Sequence, residues 1–338
     1  MSASEGSARW ATPPTVNDVA AAAGVSPMTV SRVLRETGDV RAEKVQRVRD
    51  AILELGYRRN ENARSIRPGQ RTDLFGLIVT DVSNPYYGQL ELGVEEVLTS
   101  RGIRMLVGNS DERIDREQDL VSDFLGRKVD GLIVVPVGER SAHLQAVRSA
   151  GVPLVLASRA IAGFDVDGVV LDDVRGAYDG VATLLAHGHR RIAFLGHSSS
   201  AFTAERRLDG YLRAHADAGV ATDPALIKMG QRDPEAARRA LQDLLRSGHA
   251  PTAVFSANNR NTVGALRAIA DSGMDPRAIA VVGFDAFELF DLLPFDLSVI
   301  EHDARALGRT AAELALRQLD SDAPLAPERR ELPTRLRN

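Results

Sequence analysis

The chain has 338 residues, of which 44% are hydrophobic and 26% charged. That balance excludes disorder throughout, and the length suggests two or three domains. There is no cysteine, which removes disulfides, thiolate metal sites, iron–sulfur clusters and cysteine nucleophiles. No apolar run reaches the roughly 18–20 residues of a membrane span. Residues 1–14 are small, polar and broken by prolines. They read as a flexible tail of a cytoplasmic protein, without the apolar segment of a secretory signal. The net charge of −4 hides an asymmetry, because residues 1–70 carry 11 Lys and Arg against 8 Asp and Glu, while the remainder carries 31 against 38. Excess basic charge at one end of an acidic chain suggests a polyanion for that end.

Residues 15–57 read as wholly helical. Thr15 can cap a first helix, with Asp18 three residues on as its capping partner. Val16, Val19, Ala20 and Ala23 share its inner face, and Gly24 ends it, since a left-handed cap favours glycine. Ser26-Pro27 opens a second helix: serine caps, and proline is tolerated where no amide partner is needed. Val30, Val33 and Leu34 form its inner stripe, leaving Pro27, Met28, Ser31, Arg32 and Arg35 outside. A third helix, 42–55, turns Val45, Val48, Ile52 and Leu55 inward. Two short helices joined at a glycine match helix-turn-helix geometry, whose second helix enters the major groove.

The particular residues are more specific. Asp18-Val19-Ala20, Ala23-Gly24-Val25-Ser26, Thr29-Val30-Ser31-Arg32-Val33-Leu34 and Leu55-Gly56-Tyr57 resemble the headpiece of the lactose-repressor/galactose-repressor (LacI/GalR) family of transcription regulators. The resemblance extends over about residues 15–335. It implies an all-α helix-turn-helix headpiece at 15–59, a hinge helix at 60–70 that orders on operator DNA, and an effector core at 71–338. On the DNA it places Thr15, Val16 and Asn17, then Ser26, Pro27, Met28, Thr29, Ser31, Arg32 and Arg35. From the hinge it adds Asn60, Ala63, Arg64, Ile66 and Arg67. Ile66 stands where the family wedges a leucine between minor-groove base pairs. An apolar wedge between Arg64 and Arg67 suits such kinking, although β-branched isoleucine is stiffer.

From residue 73 onward apolar strand runs alternate with helices. Strands are predicted at 74–80, 103–108, 131–136, 153–157, 168–171, 192–196, 252–256 and 279–283. Helices are predicted at 87–100, 115–127, 142–150, 175–187, 205–218, 234–246, 262–272 and 305–319. Continuous apolar strands with helical crossovers imply parallel sheets covered on both faces. The resemblance implies an α/β core of two Rossmann-like lobes, similar to periplasmic sugar-binding proteins. It places lobe 1 at 71–170 and 303–324 and lobe 2 at 171–302 and 328–338, with chain crossings near 170–173, 302–303 and 324–328.

Ligands of such sheets sit beyond the carboxyl ends of strands. Tyr86, in Asp81-Val82-Ser83-Asn84-Pro85-Tyr86, can stack on a sugar or base, or pack onto the helix it starts. Asp111 can accept from hydroxyls or cap a helix. Ser158 stands where the family often has aspartate, and Arg159 beside it can line the cleft or pair with an acid. Thr203 opens a segment containing Arg207, the family's matching arginine, which can bridge two hydroxyls or form a structural ion pair. Asn258 and Asp285 complete the set, with Asp285 the strongest acceptor candidate or a helix cap. Arg207 and Asp285 are expected to approach one ligand from opposite sides.

The sequence thus reads as a ligand-responsive, operator-binding regulator, expected to be a homodimeric repressor at the bacterial nucleoid with a sugar as effector, or else a nucleoside or purine. No catalytic residue, metal, cofactor or membrane association is expected. The alternatives are a cytoplasmic sugar-binding protein without regulatory output, or an α/β enzyme. No phosphate loop, nucleophile elbow or metal-binding helix motif supports the last.

Overall fold

In the computed structural model, residues 14–35, 40–57, 71–197, 202–248 and 250–337 are described. They fall into two compact units that divide after Thr72.

The first unit holds α1 (Val16–Ala23), α2 (Pro27–Arg35) and α3 (Ala42–Leu55). Thr15 and Asp18 form a reciprocal capping box, and Gly24 closes α1 at φ 62°. Ser26 Oγ accepts from the Thr29 amide at 3.2 Å and starts α2. Val19, Ala20, Ala23, Val30, Val48, Ala51 and Tyr57 make the small core. Leu55, expected inside, is exposed. It is the last residue of α3, and Gly56 turns the chain left-handed there. Tyr57 folds back, bonds the Ile52 carbonyl at 3.0 Å and is buried near the end of the helix.

The second unit is built on two six-stranded sheets. The first contains β1 (Leu74–Val79), β2 (Arg104–Asn109), β3 (Gly131–Val134), β4 (Leu154–Ala157), β5 (Asp167–Leu171) and β11 (Arg329–Leu332), in the order β11-β5-β4-β3-β1-β2. Its pairings are all parallel. The second contains β6 (Ile192–Leu195), β7 (Ile227–Lys228), β8 (Ala253–Ser256), β9 (Ala280–Phe284), β10 (Leu297–Glu301) and β12 (Arg335–Arg337), in the order β12-β10-β9-β8-β6-β7. Only β12 runs antiparallel to its neighbour there.

Helices cover both faces of each sheet. On the first sheet α5 (Ile114–Gly126) and α6 (Ala142–Ser149) share one apolar cluster, while α4 (Pro85–Ser100) and α11 (Ala304–Leu319) line the other face. On the second, α9 (Pro234–Arg246) and α10 (Asn259–Asp271) cover one face, and α7 (Asp173–Ala186) and α8 (Phe202–Asp217) the other. Glycine lets the inner helices cross backbone to backbone: a Cβ on Gly93 or Gly308 would overlap a carbonyl of the facing helix in the α4–α11 pair.

One lobe boundary needs correction. Arg329–Leu332, expected in the second lobe, is an edge strand of the first sheet, parallel to β5. Fully buried Asp167 fastens it, accepting from the Glu328 amide at 2.5 Å and from Arg317 at 3.0 Å. The third crossing therefore lies at residues 333–334, and only β12 returns to the second sheet.

Candidate functional site

The candidate DNA face is carried by the first unit. Thr15 and Asn17 are exposed and Val16 half-buried. On α2, Pro27 and Arg32 are exposed, Met28 is 65% exposed, and Thr29 and Ser31 are half-buried. A methionine left so open at the start of an otherwise buried-stripe helix is available for apolar contact. The side chain of Arg35 lies outside the described residues, as do Asn60, Ala63, Arg64, Ile66 and Arg67.

All seven candidate effector residues line one cavity of about 520 Å3 between the lobes. Tyr86, Asp111 and Arg159 come from the first lobe; Thr203, Arg207, Asn258 and Asp285 come from the second. They converge because each follows the carboxyl end of a parallel strand or lies in the early turns of the helix after it.

Arg207 is the centre of the second-lobe side. Its Nε donates to Asp173 Oδ1 at 2.7 Å and its Nη1 to the Ala257 carbonyl at 2.5 Å. It faces Asp285 at 3.4 and 3.5 Å and lies 3.6 Å from the centre of the Phe284 ring. Asp285 is also bonded to His302 Nε2 at 2.8 Å. Burial opposes ionisation of Asp285, but Arg207 and His302 outweigh it and hold the carboxyl below its ordinary value. Asp173 goes the other way: burial raises it, and Arg207 offsets this only in part. Arg207 and Asp285 thus stand side by side on one lobe, not on opposite sides of the cavity as expected, because α8 packs on the same sheet that β9 ends in.

On the first-lobe side, Arg159 holds Glu112 in a two-point contact at 2.6 and 2.9 Å and donates to the Pro136 carbonyl at 3.2 Å. Burial disfavours the Glu112 carboxylate, yet Arg159 keeps it below its ordinary pKa. Tyr86 shares a 2.5 Å hydrogen bond with Ser158 and meets the His302 ring edge-on at 5.3 Å. Its burial pushes the phenol upward, so it stays neutral. Asp111 is more peripheral, pairing with Arg116 at 3.0 Å on an exposed edge. Asn258 lines the cavity and also caps α10, accepting from the Asn261 amide at 2.7 Å.

Sequence reasoning missed Glu112, Asp173 and His302. Glu112 adjoins the chosen Asp111, and both residues are left-handed, at φ 53° and 55°. Asp173 stands two residues beyond β5, and His302 directly follows β10, a strand that the apolar runs did not reveal. Among the described residues no cluster is arranged to hold a metal ion, and no helix is long and apolar enough to cross a membrane.

Comparison with known proteins agrees with both units. Residues 72–337 match the family of periplasmic binding proteins and sugar-binding domains of the LacI family, and residues 15–60 match the bacterial regulatory proteins of the lacI family. The chain belongs to the LacI family. It is a transcription regulator with a DNA-binding helix-turn-helix unit and an effector domain of the sugar-binding type, and its relatives are regulators, not enzymes. It is 32% identical to the transcriptional regulator GalR of Escherichia coli (strain K12) over 308 residues, covering 91% of this chain and 90% of that one. The LacI-family fold is also seen in the Lac repressor dimer bound to operator and the anti-inducer ONPF, with TM-score 0.81, 27% identity and coverage of 96% and 98%. The CelR–cellobiose complex matches with TM-score 0.72, 28% identity and the same coverage.

Proposed function

We propose that this LacI-family regulator is a homodimeric repressor of the bacterial cytoplasm, whose operator affinity is set by a polyhydroxylated effector held between the lobes. The observation that carries this is the convergence of Tyr86, Arg159, Arg207, Asn258 and Asp285, from two lobes, on one cavity. Paired arginines and carboxylates offer donors and acceptors to hydroxyls, and Tyr86 offers a ring. The volume falls within the range of ordinary small-molecule sites. The cellobiose bound by CelR is a ligand of the same chemical class.

Effector binding controls DNA affinity only through a difference in affinity for two states of the protein. The hinge at 60–70 is the element proposed to respond, with Ile66 as its minor-groove wedge. On the headpiece, Pro27 and Met28 supply only apolar contacts, suited to thymine methyl groups, while Arg32 can reach guanine or phosphate.

A thermal-shift screen of neutral sugars and nucleosides, followed by operator titration with and without each hit, tests the effector reading. A stabilising sugar that changes operator affinity is expected. Stabilisation by nucleosides alone would overturn the sugar assignment, and an operator affinity indifferent to every stabilising compound would overturn the regulatory coupling. Exchanging Pro27 and Met28 for other residues should change the selected operator sequence; an unchanged binding-site profile would displace α2 from base reading.

A further inference from the structure

The mouth of the cavity is spanned by side chains. Arg260, in the first turn of α10, pairs with Asp81 of the loop before α4 and donates to Ser83 Oγ at 2.8 Å. Beside it Asn259 Nδ2 donates to Asn84 Oδ1 at 2.8 Å. Both contacts join the second lobe to the first.

The first-lobe partners are preorganised. Asp81 Oδ1 accepts from the amide and the hydroxyl of Ser83 at 2.9 and 2.6 Å, which leaves Oδ2 to Arg260. Asn84 caps α4 by accepting from the Tyr86 amide at 3.1 Å, and the same oxygen receives Asn259. The loop that positions Tyr86 is thereby tied to the helix that Asn258 caps, and both of those residues line the cavity. By contrast, the interlobe pair Arg206–Glu331, at 2.7 Å, lies within three residues of the crossing at 333–334. A crossing can bend while its neighbours stay bonded. Bonds across the mouth must break before the lobes separate.

We propose that Asp81, Ser83, Asn84, Asn259 and Arg260 form a clasp across the cleft that favours its closed arrangement and gates entry to the cavity. These are positioning residues. The gating role rests on the effector reading above, while the closure itself does not. Asp81 and Arg260 side chains are each 30% exposed, so their pairing should bias the closed state by roughly two- to fivefold and be screened by salt.

The chain has no cysteine, so introduced ones can be labelled alone. Spin labels at Glu139→Cys and Glu235→Cys, exposed sites on the two lobes, would report the interlobe distance in the full chain with no effector added. The parent should show a dominant closed distance. Asp81→Asn, which keeps an acceptor for Ser83, and Arg260→Gln should each raise the longer-distance population roughly two- to fivefold, with no further rise in the double variant. Raising salt to about 1 M should open the parent and leave the charge variants unchanged. Asn259→Ala supplies a neutral arm if a charge variant fails to fold. Identical distance distributions in parent and variants, or fully additive effects of Asp81→Asn and Arg260→Gln, would overturn the clasp. Because no effector is present, that failure would leave the effector assignment standing.

Discussion

Asp285→Asn separates charge from shape at the centre of the cavity. Asp285 has φ 67°, where alanine would add a backbone penalty of about 1–2 kcal/mol and asparagine is tolerated. The Arg207 contacts to Asp285 are long, at 3.4 and 3.5 Å, whereas those to Asp173 and Ala257 are 2.7 and 2.5 Å. Arg207 should therefore keep its place. The cost in stability should be about 1–3 kcal/mol, below the 3–5 kcal/mol of stripping a buried charge of its one partner. The folded pKa of Asp285 is depressed, so its contribution is present above the unfolded value near 3.9 and disappears as pH falls through the folded one. Urea unfolding should show the parent more stable at about pH 5 and above, with the difference shrinking as pH falls below about 4 and through the folded value. A difference unchanged to the lowest pH at which both fold, or no difference at neutral pH, would refute this account of the Arg207–Asp285–His302 cluster. With a sugar identified by the screen, Asp285→Asn should also weaken its binding by roughly ten- to hundredfold.

Gly308→Val should lower the melting temperature by roughly 6–12 °C, corresponding to about 3 kcal/mol, because its Cβ would strike the Leu90 carbonyl and Val94 nitrogen of α4. Gly126→Ala, which meets no atom within 4 Å, is the control and should melt at or slightly above the parent temperature. Thr15→Ala removes half of the capping box of α1 and should destabilise the headpiece by about 1 kcal/mol, read as faster hydrogen exchange of the Val19 and Ala20 amides with the core amides unchanged. Ile66→Ala should leave the fold intact and reduce operator bending and affinity; wild-type bending in a gel or fluorescence assay would remove Ile66 from the wedge role.

The elements most legible in the sequence were those whose burial leaves a periodic trace. Strands such as Leu74–Val79, five of whose six residues are buried, read directly as apolar runs. Helix starts at Ser26-Pro27 and Asp233-Pro234 carried their own caps. Edge strands left no such trace. Arg329–Leu332 is three-quarters charged, because an edge strand needs only its backbone to pair and can leave its side chains in water. It reads as part of the second lobe until Asp167 is seen holding it to the first. The cavity was legible as strand-end positions, yet the partners that set its charge were not. Glu112 in place of Asp111 as the inward carboxylate depends on two consecutive left-handed residues. His302 follows β10, only two of whose five residues are buried, so that strand left a weak apolar trace; Asp173 follows β5, but only the folded chain shows it meeting Arg207.

The two lobes repeat one plan, and their differences orient what lies between them. Ser158 and Asp285 each follow the fourth strand of their sheet, counted from β2 and from β7, and both are left-handed, at φ 64° and 67°. Each faces the helix that follows the first strand of its own sheet: Ser158 meets Tyr86 of α4, after β1, and Asp285 meets Arg207 of α8, after β6. The same scaffold position thus presents a hydroxyl and a neutral phenol on one wall and an ion pair on the other. The serine that stands where aspartate is common in the family makes these two positions unlike. A carboxylate at 158 would face the Tyr86 phenol and add negative charge to the wall that holds Glu112. With serine there, the position beside Tyr86 is neutral, and the charge of the first wall is confined to the Arg159–Glu112 pair. For the polyol effector proposed above, unlike walls predict one preferred bound orientation, which Ser158→Asp should disturb.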